Sequence, residues 1–229
     1  MIGYASGFDA IANIYDETIP SHVAKHYLEK RARFMRTLFP AGAYILDVGC
    51  GTGTLSRRLQ DEAYKVLGVD DSEGMLKMAL EKDVTVVRAV AQKLPFPDGI
   101  FDAVVSIASL HHLGSQNDVT RAISEMLRVI RQGGTAIIWD HNPLNPYWPI
   151  LMRRVPQDDG TERLVSLRQI LRAISRIGNT HVAHFRLGFV PDFTPVRALP
   201  LFQRVEQCLE RWRLTTWLAA HNVVVVRKE

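Results

Sequence analysis

Ile45-Leu46-Asp47-Val48-Gly49-Cys50-Gly51-Thr52-Gly53-Thr54 is the stretch on which the reading of this chain turns. The apolar run from Tyr44 to Val48 has the length and composition of a buried strand. It passes into three glycines spaced by one residue, and a helical pattern, Leu55-Ser56-Arg57-Arg58-Leu59, begins at once. Strand, glycine turn and helix in that order form a nucleotide-binding geometry. Glycine lets the backbone turn tightly and lets a ligand approach where a Cβ would block it. The start of the helix offers N–H groups to an anionic part of that ligand. A dinucleotide site reads G-x-G-x-x-G. Here the pattern is G-x-G-x-G, with Asp47 two residues ahead of the first glycine.

Downstream blocks extend the pattern. Lys65-Val66-Leu67-Gly68-Val69-Asp70 reads as a second strand ending in an acid, where a carboxylate can grip a ribose diol. Asp71 follows, and Ser72 is placed to cap a helix through Met75, Leu76, Met78, Ala79 and Leu80. A third block runs Ala91-Gln92-Lys93-Leu94-Pro95-Phe96-Pro97-Asp98-Gly99-Ile100-Phe101-Asp102-Ala103-Val104-Val105. A fourth runs from Leu127 through Arg131-Gln132-Gly133-Gly134 to Trp139-Asp140, with the glycine pair expected to stop a helix.

These four blocks, in this order and spacing, resemble the class I S-adenosylmethionine-dependent methyltransferases. The opening Phe8-Asp9-Ala10-Ile11-Ala12-Asn13-Ile14-Tyr15-Asp16 is similar to that of the ubiquinone and menaquinone methyltransferase group. The resemblance implies an α/β sandwich, Rossmann-like, with a seven-stranded, mostly parallel sheet and one antiparallel edge strand. It implies S-adenosyl-L-methionine as cofactor and S-adenosyl-L-homocysteine as product. The implied cofactor contacts are Tyr15, Asp47, Gly49, Cys50, Gly51, Gly53, Asp70, Asp71, Met75, Ala91, Gln92 and Ile107. One departure stands out: Val90 occupies the place of the family's adenine-side Asp, which leaves that contact to the Ala91 backbone and the Gln92 side chain.

The chain has 229 residues, which suits one domain with a lid, and 47% hydrophobic residues, enough for a full core. We expect residues 1–40 to form a helical lid and 41–229 the core, with 141–165 and 194–215 inserted on the substrate side. Strands are expected near 44–49, 65–70, 84–88, 101–107 and 134–140, then over 181–190 and 222–227. Helices are expected from Ser21, placed as the cap, to about Phe39, over 53–62, 73–81, 118–131 and 166–177, and, as an amphipathic one, over 198–213. No apolar run is long enough for a membrane span. Cys50 and Cys208 form neither a disulfide framework nor a metal-ligand spacing, so no metal is expected and a reducing cytoplasm fits.

Charge is unevenly placed. Residues 1–140 carry 15 basic and 17 acidic side chains, whereas 141–229 carry 13 and 7. A basic C-terminal part suits an anionic partner such as nucleic acid, lipid headgroups or a phosphorylated substrate. Solvated helix arginines (Arg153, Arg154, Arg163, Arg168, Arg172 and Arg176) account for the same excess.

Methyl transfer is an in-line displacement, so the protein mainly positions the nucleophile and excludes water. A base is needed only where the nucleophile starts protonated. His111 and His112, after the fourth strand, and Asp140 and His141, at the tip of the fifth, are the catalytic candidates. The stiff loop with prolines 143, 146 and 149 places Tyr147 and Trp148 to wall a substrate pocket. The expected reaction is methylation of an O or C nucleophile on a small or lipid-like metabolite. Two rivals remain: methylation of a modified tRNA uridine, and cofactor binding without catalysis. The absence of an Asn/Asp-Pro-Pro-Tyr/Phe motif and of paired catalytic cysteines argues against DNA-adenine and cytosine-C5 methylation.

Overall fold

The computed structural model describes residues 7–151, 162–178, 180–212 and 214–229. Arg153, Arg154 and much of the expected 141–165 insertion lie outside these residues. Seven strands form one sheet: β1 (Tyr44–Val48), β2 (Lys65–Asp70), β3 (Thr85–Arg88), β4 (Phe101–Ile107), β5 (Ile130–His141), β6 (Thr180–Leu187) and β7 (His221–Lys228). Their spatial order is β3-β2-β1-β4-β5-β7-β6. β1, β2, β3, β4 and β5 pair in parallel, and β7 runs antiparallel to both β5 and β6. The mostly parallel sheet is as expected, but its reversed strand, β7, lies one place in from the edge that β6 occupies.

The strands of the sheet centre are apolar on both faces because helices cover both sides. Successive side chains point oppositely, so Leu46 and Val48 enter one core layer and Ile45 the other. The first layer packs against α5 (Gln116–Val129) and α7 (Leu167–Ile174) through Ile123, Met126, Ile170 and Ile174. The second packs against α2 (Ser21–Arg36) and α3 (Thr54–Gln60) through Ala32, Met35, Leu55 and Leu59. Strand order reverses between β1 and β4, so a crevice opens at the C-terminal ends of those two strands.

Local chemistry sets the element ends. Ser72 caps α4 (Glu73–Glu81) as expected, its hydroxyl accepting from Met75 N at 3.1 Å. Ser166 and Gln169 form a reciprocal capping box on α7. Two expectations fail. Ser21 is the first residue of α2 rather than its cap, a place taken by Pro20, which has no side chain to donate or accept. Gly133-Gly134 does not stop α5: the helix ends at Val129, and Ile130 is already extended and paired with Phe101. The glycines instead lie in the irregular lead-in to the rest of β5, where pairing shifts between Phe101 and Ala103.

α8 (Leu199–Leu209) is held to α2 by charge rather than by an apolar stripe. Glu206 is buried, with Oε2 at 2.9 Å from His26 Nε2 and 2.8 Å from Lys30 Nζ, and Oε1 accepts from Phe189 N at 2.8 Å. Burial alone would raise this carboxyl, but the His26 hydrogen bond and the Lys30 ammonium outweigh it and hold it at about 2. A carboxyl lower in the folded than in the unfolded chain adds stability above the unfolded value of 4.5, and loses it as pH falls through about 2. We expect Glu206→Gln to cost roughly 3 kcal/mol at neutral pH, and its gap from the wild type to close toward pH ~2. Urea unfolding across that range checks this; a gap independent of pH would refute it.

Candidate active site at the strand tips

The glycine loop leaves β1 with Gly49, Gly51 and Gly53 at φ of 73°, 53° and 75°. Gly49 N and Cys50 N donate to Val69 O at 2.8 and 3.0 Å, which ties the loop to β2. At Gly53 a Cβ would sit 2.8 Å from Ala79 Cβ, so glycine there permits α3 to start against α4. At Gly51 a Cβ would meet nothing within 4 Å, and this side of the loop is an open cradle. Cys50 faces away from it: its sulfur packs on Gly68, where a Cβ would lie 2.7 Å from Sγ.

Asp70 closes the cradle. Its Oδ2 accepts from Gly51 N at 2.9 Å and its Oδ1 from Ser72 N at 3.0 Å. A carboxylate offers about four acceptor positions, so two remain for a vicinal diol. Burial raises its pKa, against backbone hydrogen bonds from Ser72, Gly51 and Asp71. Asp47 lies beneath the loop, accepting from Ser56 Oγ at 2.6 Å; burial pushes it up to about 6, and the nearby Asp70 adds to the rise. Ala91 and Gln92 are half-buried just past β3, whose end is fixed to Asp70 by the 3.1 Å Ala89 N to Asp70 O hydrogen bond. Ile107 ends β4, half-buried. Asp71 is exposed, whereas Met75 is 1% exposed and belongs to the interior.

The N-terminal segment clasps this end of the sheet at two points, the glycine loop and the start of α4. Asp16 accepts from Thr52 Oγ1 at 2.8 Å and pairs with Lys82 Nζ at 2.6 Å; Lys82 also donates to Thr52 O at 2.8 Å. Asp9, on α1 (Gly7–Ile11), accepts from Ser72 Oγ at 2.6 Å and from Gly74 N at 2.8 Å, and these bonds lower its pKa. The Phe8 ring stands edge-on to Tyr15 at 6.2 Å and to His112 at 4.8 Å.

His111, His112, Asp140 and His141, expected as two separate pairs, form one cluster. The loop after β4 lies against the glycine turn, where a Cβ on Gly49 would fall 2.1 Å from Ser109 Oγ. His111 Nδ1 is 2.7 Å from Asp140 Oδ1, and both residues are buried. The same oxygen accepts from His141 N at 2.7 Å, while Asp140 Oδ2 and His141 Nδ1 are buried with no hydrogen-bond partner among the described residues. Ring centroids of His111 lie 3.9 Å from His112 and 4.3 Å from His141. Burial would raise the Asp140 carboxyl, but His111 beside it holds it below the usual carboxylate range. Burial drives His141 well below an ordinary histidine, with the neighbouring imidazoles adding to the fall.

Sequence reasoning missed His221. It pairs with His141 across the β5–β7 ladder, their rings 5.7 Å apart. Burial, with Arg31 and Lys30 adding to it, pushes His221 down to about 3. Only the strand register identifies it. Trp148, at the start of the short α6 (Trp148–Leu151), is buried, lies against His141 with centroids 3.7 Å apart and rings tilted by 43°, and donates its Nε1–H to Ala220 O at 3.0 Å. Tyr147 instead donates its hydroxyl to Asp192. Among the described residues, His111, Asp140 and His141 are also a group able to hold a metal ion, with ligand atoms within 4.8 Å of one another. Spacing along the chain could not reveal this, since the ligands come from two strand ends.

A methyltransferase-domain family matches residues 46–138. A demethylmenaquinone methyltransferase of Corynebacterium urealyticum is 32% identical over 182 residues, 74% of this chain and 77% of that protein. A tRNA (carboxymethyluridine(34)-5-O)-methyltransferase of Arabidopsis thaliana is 35% identical over 130 residues, 56% of this chain; the chain spans only 31% of that protein's length. The fold matches that of a Thermotoga maritima S-adenosylmethionine-dependent methyltransferase structure, at a TM-score of 0.71 and 20% identity over 97% of this chain and 98% of that one. The chain belongs to the S-adenosylmethionine-dependent methyltransferases. The site suits that cofactor on its own geometry: Gly51 is open on its Cβ side, and its N–H is held by the half-buried Asp70 carboxylate, which has acceptor positions to spare for the ribose.

Proposed function

We propose that this protein methylates a hydroxyl or acidic carbon of a small, lipid-like acceptor. The observation that carries this reading is the buried His111–Asp140 pair beside the glycine turn. When bound, S-adenosylmethionine supplies the methyl group on a sulfonium with a good leaving group. The chain's own tasks are then to hold the acceptor in line and to take its proton. His111 takes that proton. Asp140 accepts the Nδ1–H of His111, which orients the ring and stabilises the imidazolium that forms. Trp148, packed against His141, gives the acceptor side an apolar wall. Asp70 and the Gly51 cradle hold the ribose, and the Ala91–Gln92 segment borders the adenine. Residues 7–20 act as the lid, clasped by Asp9 and Asp16, whereas α2, which falls within the expected 1–40 lid, packs into the core.

Quinone-type relatives support a small apolar acceptor, and the tRNA methyltransferase relative supports the rival. Transfer of labelled methyl from S-adenosylmethionine to a prenylated hydroquinone, to a catechol, and to a tRNA anticodon stem-loop carrying carboxymethyluridine decides between them. Label on either phenolic acceptor is the expected result. Label on the stem-loop alone would overturn the acceptor class, and cofactor binding with no label on any acceptor would favour a non-catalytic role. A parallel reaction in EDTA reads whether the His111–Asp140–His141 group needs a metal ion.

A further inference from the structure

The α8 segment is amphipathic with its faces exchanged. The buried side carries Glu206 and the half-buried Gln203, hydrogen-bonded to His26. The outward side carries Leu201 and Val205, 62% and 45% exposed, followed by exposed Cys208 and by Trp212, 62% exposed. Their spacing of four, three and four residues sets them on one helical face, and the backbone continues in turns as far as Trp212. Phe193, Val196, Leu214 and Trp217, in the flanking turns, are each about half exposed or more.

Charge is sorted the same way. Residues 193–220 contain two acids, Glu206 and Glu210, and both turn inward: Glu210 pairs with Lys30 and accepts from Gly188 N at 2.7 Å. The exposed charges on the described part are Arg197, Arg204 and Arg211, recurring every seven residues on one flank of the apolar stripe. A face pointed at water gains nothing from exposed leucine and tryptophan. A basic flank beside an apolar, Trp-bearing stripe fits the boundary between anionic headgroups and acyl chains.

We propose that α8 and its flanking turns dock this protein onto an anionic lipid surface, lying in the interface rather than crossing it. Among the described residues no helix is long and apolar enough to span a membrane. The docking face adjoins the acceptor side of the site: Phe193 meets Tyr147 edge-on at 5.7 Å, and Thr194 O is 2.6 Å from His22 Nε2 on α2. That a lipid-like acceptor enters from the docked surface rests on the function proposed above; the docking itself does not.

The test is sedimentation with phosphatidylglycerol vesicles and with phosphatidylcholine vesicles, at low and high salt, without any methyl-transfer readout. We expect binding to the anionic vesicles, weakened by salt, with a blue shift of tryptophan fluorescence. Trp212→Ala should weaken it by about tenfold and, separately, Arg204→Glu with Arg211→Glu by about thirtyfold or more. These positions are exposed, so S-adenosylmethionine affinity and thermal unfolding should stay at wild-type values and show that the variants fold. Several results would overturn the proposal. One is no vesicle binding by the wild type, and another is equal binding by the variants. A third is concentration-dependent self-association that Trp212→Ala abolishes in the absence of vesicles, which would assign the stripe to a second copy.

Discussion

Asp70→Ala is expected to reduce S-adenosylmethionine affinity by about a hundredfold or more, with the fold retained. The carboxylate holds Gly51 N and Ser72 N, and in the proposed function its remaining acceptor positions take the ribose diol. Hydrogen bonds to a charged acceptor are worth ~1.5–3 kcal/mol each, so losing two to the ribose removes ~3–6 kcal/mol, or two to four decades of affinity. Asp70→Asn should lose less, because its amide oxygen still accepts. Calorimetric titration with S-adenosylmethionine and S-adenosylhomocysteine measures both, with NAD as the control. Near-normal affinity in the alanine variant would show that the ribose is held elsewhere. The fold survives because β2 is built from Val66, Leu67 and Val69, and Asp70 lies past its apolar part.

His111→Ala is expected to lower turnover by roughly 10²–10⁴-fold while cofactor affinity stays near the wild-type value. In the proposed function the imidazole serves the acceptor, whereas the ribose falls to Asp70 at the end of β2. Asp140→Asn should lower kcat as well, with KM for S-adenosylmethionine unchanged. Its amide can present an N–H to the imidazole where the carboxylate presented an acceptor, which disfavours the productive tautomer. Single-turnover transfer to whichever acceptor is labelled separates the two steps. Equal loss of cofactor binding and turnover in His111→Ala would make the residue a structural one, and unaltered turnover would remove it from the chemistry.

What the chain disclosed before its structure follows from distance along the sequence. The glycine loop, Asp70, Ser72 and the Ala91–Gln92 segment each belong to a short stretch whose local pattern suffices. The structure places all of them at one end of the sheet. His111 and Asp140 were visible as residues but not as partners, since their 2.7 Å hydrogen bond depends on β4 and β5 lying side by side. His221 carried no signal, because it faces His141 only through an antiparallel register. The periodicity of 198–213 correctly indicated an amphipathic helix but not which face would turn inward. Glu206 decides that by finding His26 and Lys30, on a helix some 180 residues earlier in the chain. Met75 shows the converse: a residue close to the site in sequence whose side chain is wholly enclosed in the interior.

The place of β7 between β5 and β6 bears on how the chain is made. A ribosome delivers β6 before β7, yet among the described residues β6 has no neighbour in the sheet other than β7. Until residues 221–228 emerge, β5 therefore presents a bare edge at the sheet's centre, and β6 has nothing to join. Bare edges of this kind invite pairing with other chains. His221 arrives on the same strand, so the segment that seals the growing sheet also completes the histidine cluster. A nascent chain thus stays both sticky and chemically incomplete until the same few residues clear the exit tunnel.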